Sequence, residues 1–389
     1  MKIVIDDKIP FIKGVLEPYA EVVYLPGAGF TRSDVADTDA LIIRTRTKCN
    51  EALLKGATVK FIATATIGYD HIDTAWCEAN GIAWTNAPGC NSGSVYQYMA
   101  SILATLSTHF DFRFEDKTLG VVGVGNVGSK VAQLGKALGM NVLMNDPPRA
   151  EKEGLAQFVP LDEILSMSDL ITLHVPLNYS GAHQTYHLFD KATFEQLPYR
   201  TILINSSRGE VVDNVVLKNA LKSRKIGAAA LDVWENEPNI DPELLPLLNI
   251  ATPHIAGYSA DGKANGTAMS VQALSRFFGI PLNDWYPSEI PYPAQPLRFE
   301  LDCTGKSLQQ CLCEAIWYTY PVNDDDGCLR TSPETFEKQR GNYPVRREFA
   351  AFTVDVKNAI PEIEERLQTL GFKINQKLKN KNQKLKIKK

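Results

Sequence analysis

Short apolar runs recur along the first 280 residues, with stretches of helical period between them. Residues 2–5 (KIVI), 21–25 (EVVYL), 40–44 (ALIIR) and 60–64 (KFIAT) read as strands, and 51–56 (EALLKG) and 74–80 (TAWCEAN) as helical pieces. Strands alternating with helices predict a parallel sheet. A second run of the same kind begins near Lys117. Its strands are expected at 118–122, 141–145, 170–174, 201–205, 228–231 and 249–251, with helices such as 129–138 and 213–223 between them. This pattern predicts a doubly wound α/β sheet.

At Pro281 the pattern changes. Pro281, Pro287, Pro291, Pro293 and Pro296 follow one another closely, which breaks regular structure and reads as a linker. Beyond it lies a smaller α+β unit, with strands at 297–302 and 349–356 and helices at 308–320 and 360–370. Residues 373–389 carry eight lysines and no acid. They read as a solvated, disordered tail.

A chain of 389 residues is too long for one typical domain. Its 44% apolar and 22% charged residues suit a soluble enzyme, and a formal net charge of −4 argues against a nucleic-acid partner. The seven cysteines are scattered and form no C-x-x-C pair; Cys311 and Cys313 make only C-x-C. Reduced thiols and no metal site are expected. The opening MKIVIDDKIP is a strand rather than a signal peptide, and no apolar run approaches membrane-spanning length. A cytoplasmic protein without membrane contact is the expectation.

Candidate chemistry begins where the strand at 118–122 runs into Gly123-Val124-Gly125-Asn126-Val127-Gly128 and then a helical pattern. Glycines there permit a tight turn and close approach of backbone to a pyrophosphate, whose charge meets free N–H groups at the helix start. Asn126 and Val127 would supply some of these amides. Asp146 follows Gly128 by 18 residues, at the end of the next strand. A carboxylate there accepts hydrogen bonds from ribose hydroxyls and repels a 2′-phosphate, so NAD is favoured over NADP.

Three later strands each end in a polar loop: Asn205-Ser206-Ser207-Arg208-Gly209, Asp232-Val233-Trp234-Glu235-Asn236-Glu237-Pro238 and Thr252-Pro253-His254-Ile255-Ala256-Gly257-Tyr258. Oxidising a 2-hydroxy acid needs a cation for the carboxylate, a base for the hydroxyl proton and a hydride acceptor. Arg208 suits the first role, because its planar fork matches a carboxylate. His254 suits the second, since imidazole titrates near neutrality. Glu237 is placed to orient His254 and raise its basicity. A bound nicotinamide serves the third.

The glycine turn, SSRG, AALDVWENEP and TPHIAGY, in this order, resemble the D-isomer-specific 2-hydroxyacid dehydrogenase family. So do RTRTKCNEALL, FIATATIGYDHID, NAPGCNSGSVYQY and NDPPRA, with the likeness running to about Gly371. The resemblance implies two Rossmann-like doubly wound domains, the first discontinuous, with a crossing helix near 94–109 and a return near 257–278. The expected division is a substrate-binding domain at 1–95 plus 258–280, an NAD-binding domain at 96–257, a small α+β dimerisation domain at 281–372 and the tail at 373–389. By the same resemblance Arg208, Glu237 and His254 are catalytic, and Val175, Ser206, Ser207, Arg208, Asp232 and Gly257 join Asp146 and the glycine turn in holding NAD. Thr45, Thr66 and Tyr258 contact the substrate. The nearest family pattern has Ser where Thr45 stands, and the lysine tail has no counterpart in it.

The implied substrate is a small 2-hydroxy acid with a terminal phosphate, and the implied assembly is a homodimer through the C-terminal domain. Arg44, Arg46 and Lys48 are candidate phosphate ligands; if the strand continues past Arg44, Arg44 and Arg46 share one face and Thr45 takes the other. Two alternatives stay open on these residues. One is another acid of the same family, such as 3-phosphoglycerate or glyoxylate. The other is an NAD-sensing binding protein that keeps the same three residues without turnover.

Overall fold

In the computed structural model the chain is described over residues 1–154 and 157–375. It forms two compact units, Met1–Asn91 with Ser259–Pro291, and Ser92–Tyr258 with the chain from Tyr292 onward.

The first unit holds β1 (Lys2–Asp6), β2 (Glu21–Leu25), β3 (Ala40–Ile43), β4 (Phe61–Thr64) and β5 (Ala83–Thr85), all parallel, in the order β2-β1-β3-β4-β5. The two-residue period of a strand sends neighbouring side chains to opposite faces, and here both faces are covered. Ala40 and Ile42 pack with Val271 and Leu274 of helix Ala260–Phe278. Leu41 and Ile43 pack with Leu53, Leu54 and Cys77 on the other side. That double covering explains why β3 is apolar throughout and β4 is apolar up to its last residue, Thr64.

In the second unit β6 (Thr118–Val122), β7 (Asn141–Asn145), β8 (Leu170–Leu173), β9 (Ile202–Asn205), β10 (Ala228–Leu231) and β11 (Ile250–Ala251) make a parallel sheet ordered β11-β10-β9-β8-β6-β7. The strand order reverses at β6, whose two neighbours are β7 and β8. In sheets of this kind ligands bind outside the carboxyl ends of the strands at such a reversal. Gly120, in the middle of β6, allows close helix packing: a Cβ there would lie 2.4 Å from the Ser168 hydroxyl and 2.8 Å from Ile164.

A third parallel sheet is built from β12 (Arg298–Asp302), β13 (Thr353–Lys357) and β14 (Lys373–Ile374). Its Phe299, Leu301 and Val354 share one continuous core with helices Ser92–His109 and Asn126–Leu138. The small C-terminal sheet is therefore part of the same compact unit as the larger one.

Several expectations need correction. Residues 373–375 do not belong to a disordered tail. Lys373 and Ile374 pair with Thr353 and Val354, Lys373 and Asn375 donate backbone hydrogen bonds to the Phe352 and Val354 carbonyls, and the Asn375 amide binds Asp355. Strand pairing satisfies these backbone groups whatever the lysine content. The rest of the expected tail, 376–389, lies outside the described residues. The third strand stops at Ile43 rather than Arg44, and Arg44–Thr47 closes a turn in which the Thr47 amide donates to the Arg44 carbonyl. The face argument for Arg44, Thr45 and Arg46 thus does not apply. Helices Val322–Thr331 and Phe336–Gly341 and the short edge strand β5 carry too little apolar periodicity to be legible.

If β14 closes the third sheet, a chain ended after Phe372 loses at least the Lys373 and Asn375 backbone hydrogen bonds and the Asn375–Asp355 bond that a chain ended after Asn375 keeps. At about 1 kcal/mol per bond, the shorter chain should melt at least about 2 °C lower. Equal melting temperatures by calorimetry would show that β14 contributes nothing.

Candidate active site

β6 ends at Val122 and the chain turns sharply at Gly123, which has φ +84°. A Cβ here would meet the His174 carbonyl at 2.7 Å and the Val175 side chain at 2.8 Å, so only glycine fits between the ends of β6 and β8. Gly128, one turn into helix Asn126–Leu138, lies against the Gly123 carbonyl, where a Cβ would stand only 1.9 Å from the oxygen. Gly125 caps the helix, and a Cβ on it would meet nothing within 4 Å. The first amides of the helix, from Asn126 and Val127, adjoin that open side. A helix start of this kind attracts phosphate through its free N–H groups and its dipole.

Asp146 follows β7 directly. One carboxylate oxygen accepts from the Val124 amide at 2.8 Å and the other from the Arg149 amide at 3.1 Å, which caps helix Pro147–Glu153. Arg149 donates to the Val124 carbonyl at 2.5 Å and forks onto both Glu153 oxygens at 2.7 and 2.6 Å. Its charge is therefore already matched, and it is not a free cation for a 2′-phosphate. These groups fit a dinucleotide: an open glycine-lined helix start for the pyrophosphate, and a carboxylate with spare lone pairs for ribose hydroxyls.

The ends of β9, β10 and β11 bring the other candidates together. Asn205 accepts from the amide and hydroxyl of Ser207 at 3.0 and 2.9 Å and donates to the Arg208 carbonyl at 2.9 Å, so it shapes the loop that presents Arg208. The Ser206 hydroxyl is buried with no hydrogen-bond partner among the described residues. Gly209 lies against the Trp234 carbonyl, where a Cβ would overlap at 2.0 Å, and this contact binds the β9 loop to the β10 loop. Glu237 accepts from the Trp234 amide at 2.9 Å with one oxygen and meets His254 Nδ1 at 2.7 Å with the other. That contact leaves Nε2 as the imidazole nitrogen available for proton transfer.

Asp232 is 1% exposed. It accepts from the Thr252 hydroxyl at 2.6 Å, the Ile255 amide at 2.8 Å and the Ala256 amide at 2.9 Å. Burial pushes its carboxyl above the usual carboxylate range, with the nearby His254 and these three hydrogen bonds pulling the other way. His254 itself has φ +56°, a left-handed conformation that costs a residue with a side chain of order 1 kcal/mol. Tyr258, after Gly257, is half-buried and packs edge-to-face on Tyr343 at 5.8 Å. Sequence reasoning missed Asn205, Tyr343 and the buried Arg346, whose roles arise only from contacts made in three dimensions.

The first unit carries the remaining candidates. Thr45 and Arg46 are exposed on the turn after β3, and Arg44 is half-buried, with a nitrogen 3.4 Å from the Lys8 carbonyl. Arg46 and Lys48 line a cleft with Arg32 and Thr31, a concentration of positive charge to which the sequence reading had not assigned Arg32. The Thr66 hydroxyl is shared between the Thr64 hydroxyl at 2.7 Å and the Gly68 carbonyl at 2.9 Å.

Residues 100–256 match the model of the D-isomer specific 2-hydroxyacid dehydrogenase NAD binding domain, and 293–371 match a domain of unknown function, DUF3410. The erythronate-4-phosphate dehydrogenase of Bacteroides thetaiotaomicron is 49% identical over 91% of this chain and 99% of its own length. That of Proteus mirabilis is 42% identical over 97% of this chain and all of its own. The chain belongs to the D-isomer specific 2-hydroxyacid dehydrogenase family. Among solved structures it is similar to a D-lactate dehydrogenase from Aquifex aeolicus complexed with NAD and lactic acid, with TM-score 0.60, 27% identity, and coverage of 72% of this chain and 96% of the other. It is an oxidoreductase with NAD as its cofactor. No helix among the described residues is long and apolar enough to cross a membrane.

One further group in this dehydrogenase follows β8 at the strand-order reversal. The Nε2 of His174 lies 2.9 Å from the Thr172 hydroxyl. The residue is half-buried, and burial of its imidazole lowers the pKa to about 3. Because the folded-state value lies below the unfolded one, neutral His174 supports the fold at pH above about 6.5. That support is lost as pH falls toward 3, at up to roughly 1.4 kcal/mol per pH unit. In urea titrations from pH 7 to pH 4, wild type should therefore lose stability faster than His174→Asn, whatever the variant's deficit at pH 7. Parallel curves would contradict the assignment.

Proposed function

We propose that this enzyme oxidises 4-phospho-D-erythronate at C2, with NAD, to (3R)-3-hydroxy-2-oxo-4-phosphooxybutanoate, a step toward pyridoxal 5′-phosphate (vitamin B6). The observation that carries the reading is the 2.7 Å contact of His254 with Glu237, at strand ends of the sheet that holds the glycine turn. The name shared by relatives that match nearly the whole chain supports the substrate.

Arg208 takes the C1 carboxylate in its guanidinium fork. His254 Nε2 accepts the C2 hydroxyl proton, and Glu237, facing Nδ1, stabilises the imidazolium that forms. The glycine turn from Gly123 to Gly128 holds the pyrophosphate of NAD, and Asp146 its adenosine ribose. Val175, Ser206, Ser207, Asp232 and Gly257 complete the cofactor contacts. Bound NAD supplies the two-electron acceptor. Thr45, Thr66 and Tyr258 hold the substrate, and the cations of the first unit, Arg44, Arg46, Lys48 and Arg32, are the candidates for its phosphate. The C-terminal segment serves as the surface of a homodimer.

NADH absorbance on adding 4-phosphoerythronate, with 3-phosphoglycerate and D-lactate as controls, tests the reading. Turnover should be fastest on the first; faster turnover of a control, or none of any acid, would refute it. His254→Ala should lower kcat by roughly 10²–10⁴-fold, the usual worth of a general base. Arg208→Lys should recover only part of what Arg208→Ala loses, because an ammonium cannot make the bidentate fork.

NAD should outperform NADP in kcat/KM, since Asp146 repels a 2′-phosphate and Arg149 is occupied by Glu153. Asp146→Ala should narrow the gap while weakening NAD binding. Equal use of both cofactors by wild type would remove the basis for assigning the ribose to Asp146.

A further inference from the structure

The Arg346 side chain, 4% exposed, reaches the loop that carries His254 from the C-terminal segment. Its Nη2 donates to the Ala256 carbonyl at 2.6 Å and lies 3.4 Å from the Ile255 carbonyl. Its Nε and Nη1 have no hydrogen-bond partner among the described residues. Instead the guanidinium lies 4.4 Å from the ring centre of Tyr320 and 5.8 Å from that of Tyr343. The hydroxyls of both tyrosines donate to Asp325 at 2.7 Å. Burying a guanidinium costs several kcal/mol unless it gains strong partners. Among the described residues its direct acceptors are the two carbonyls that follow His254.

Those same two residues present their amides to Asp232, at 2.8 and 2.9 Å. The Ile255–Ala256 segment is thus held at its two N–H groups by a buried carboxylate and at its carbonyls, chiefly that of Ala256, by a buried guanidinium. Directly before it stands His254 in its left-handed conformation. If either grip loosens, the backbone can relax toward an unstrained φ, and the imidazole swings away from Glu237.

We infer that Arg346 is a positioning residue for His254, so that the C-terminal segment takes part in the dehydrogenase reaction by clamping the catalytic loop against Asp232. The functional half of this inference rests on the role proposed above for His254; the clamping half does not. Tyr343 strengthens the clamp, since its ring also packs on Tyr258 two residues past Ala256.

The test is a double-variant cycle on the full-length enzyme, together with amide hydrogen exchange. Arg346→Met should lower kcat for 4-phosphoerythronate by about 10- to 100-fold, the scale expected when a catalytic group is misplaced by about an ångström. The dissociation constant for NADH, read by fluorescence, should change less than kcat does, because the glycine turn and Asp146 lie away from the clamp and only the Asp232 and Gly257 contacts adjoin it. In a His254→Ala background the same substitution should change kcat less than about twofold, since the group it positions is gone. A general loss of structure would lower both backgrounds alike. Exchange at the Ile255 and Ala256 amides should speed up in Arg346→Met while the amides of β6 and β7 stay protected. Arg346→Lys keeps the charge without the fork or the stacking. It should give an intermediate kcat, and it carries the same cycle if Arg346→Met does not fold. Equal falls in both backgrounds, or unchanged exchange at Ile255 and Ala256, would overturn the inference. A wild type inactive on 4-phosphoerythronate would overturn the substrate assignment instead, and the exchange result would then decide the clamp by itself.

Discussion

The Asp232 carboxylate sits at the end of β10, almost wholly enclosed, and takes hydrogen bonds from the Thr252 hydroxyl and from the amides of Ile255 and Ala256. Thr252 also bonds to the Tyr98 hydroxyl at 2.8 Å, and its carbonyl accepts from the Trp234 indole at 3.0 Å. Through these contacts the loop after β11 is tied to the strand beside it. An ionised carboxylate in such a place is costly unless every partner is present. The same partners therefore carry two burdens: they offset the burial that raises the Asp232 pKa, and they hold His254 where Glu237 can reach it. Loss of one of them would be felt at the imidazole as well as in stability.

The glycine turn shows the complementary way to build a site, by close approach rather than charge. Gly123, Gly128 and Gly209 each stand where a Cβ would collide with a neighbouring carbonyl. The first two bring the ends of β6 and β8 and the first turn of a helix into contact, and the third joins the loops carrying Arg208 and Glu237. Asp146 and Arg149 then bind the turn from outside, through the Val124 amide and carbonyl respectively. The backbone of the turn is thereby held before any ligand arrives, so binding need not bear the entropy of ordering it.

The C-terminal segment is not an appendage to this arrangement. Phe299, Leu301, Ile316 and Leu367 lie in the same core as Leu103 and Val131, and Arg346 and Tyr343 extend the contact to the loop of His254 and Tyr258. A shared core makes the two sheets stable together, and gives the segment a rigid base from which a buried cation can act on a loop.

The α/β character, the strands β6 to β10 within about a residue at each end, the glycine turn and the placing of Arg208, Glu237 and His254 in loops after strands were legible in the chain itself. Strands apolar along their whole length, separated by helical period and followed by a glycine or a polar loop, have few other solutions. Less was legible where local pattern is weak or competes with long-range pairing. Lys373 and Ile374 look like the start of a polar tail, but the hydrogen-bonding edge of β13 makes them a strand. The stretch from Val322 to Thr331 looks too polar to be a helix, but Leu329 has a buried site waiting for it. Arg346 reads as one arginine among many. Only the fold, by setting it between Tyr320 and the carbonyls of Ile255 and Ala256, decides that it is buried and what it touches. Residue type and spacing determine which groups can do chemistry, because those are properties of the chain. Which of them is buried, and against what, depends on partners some 90 residues away, and that only the tertiary structure decides.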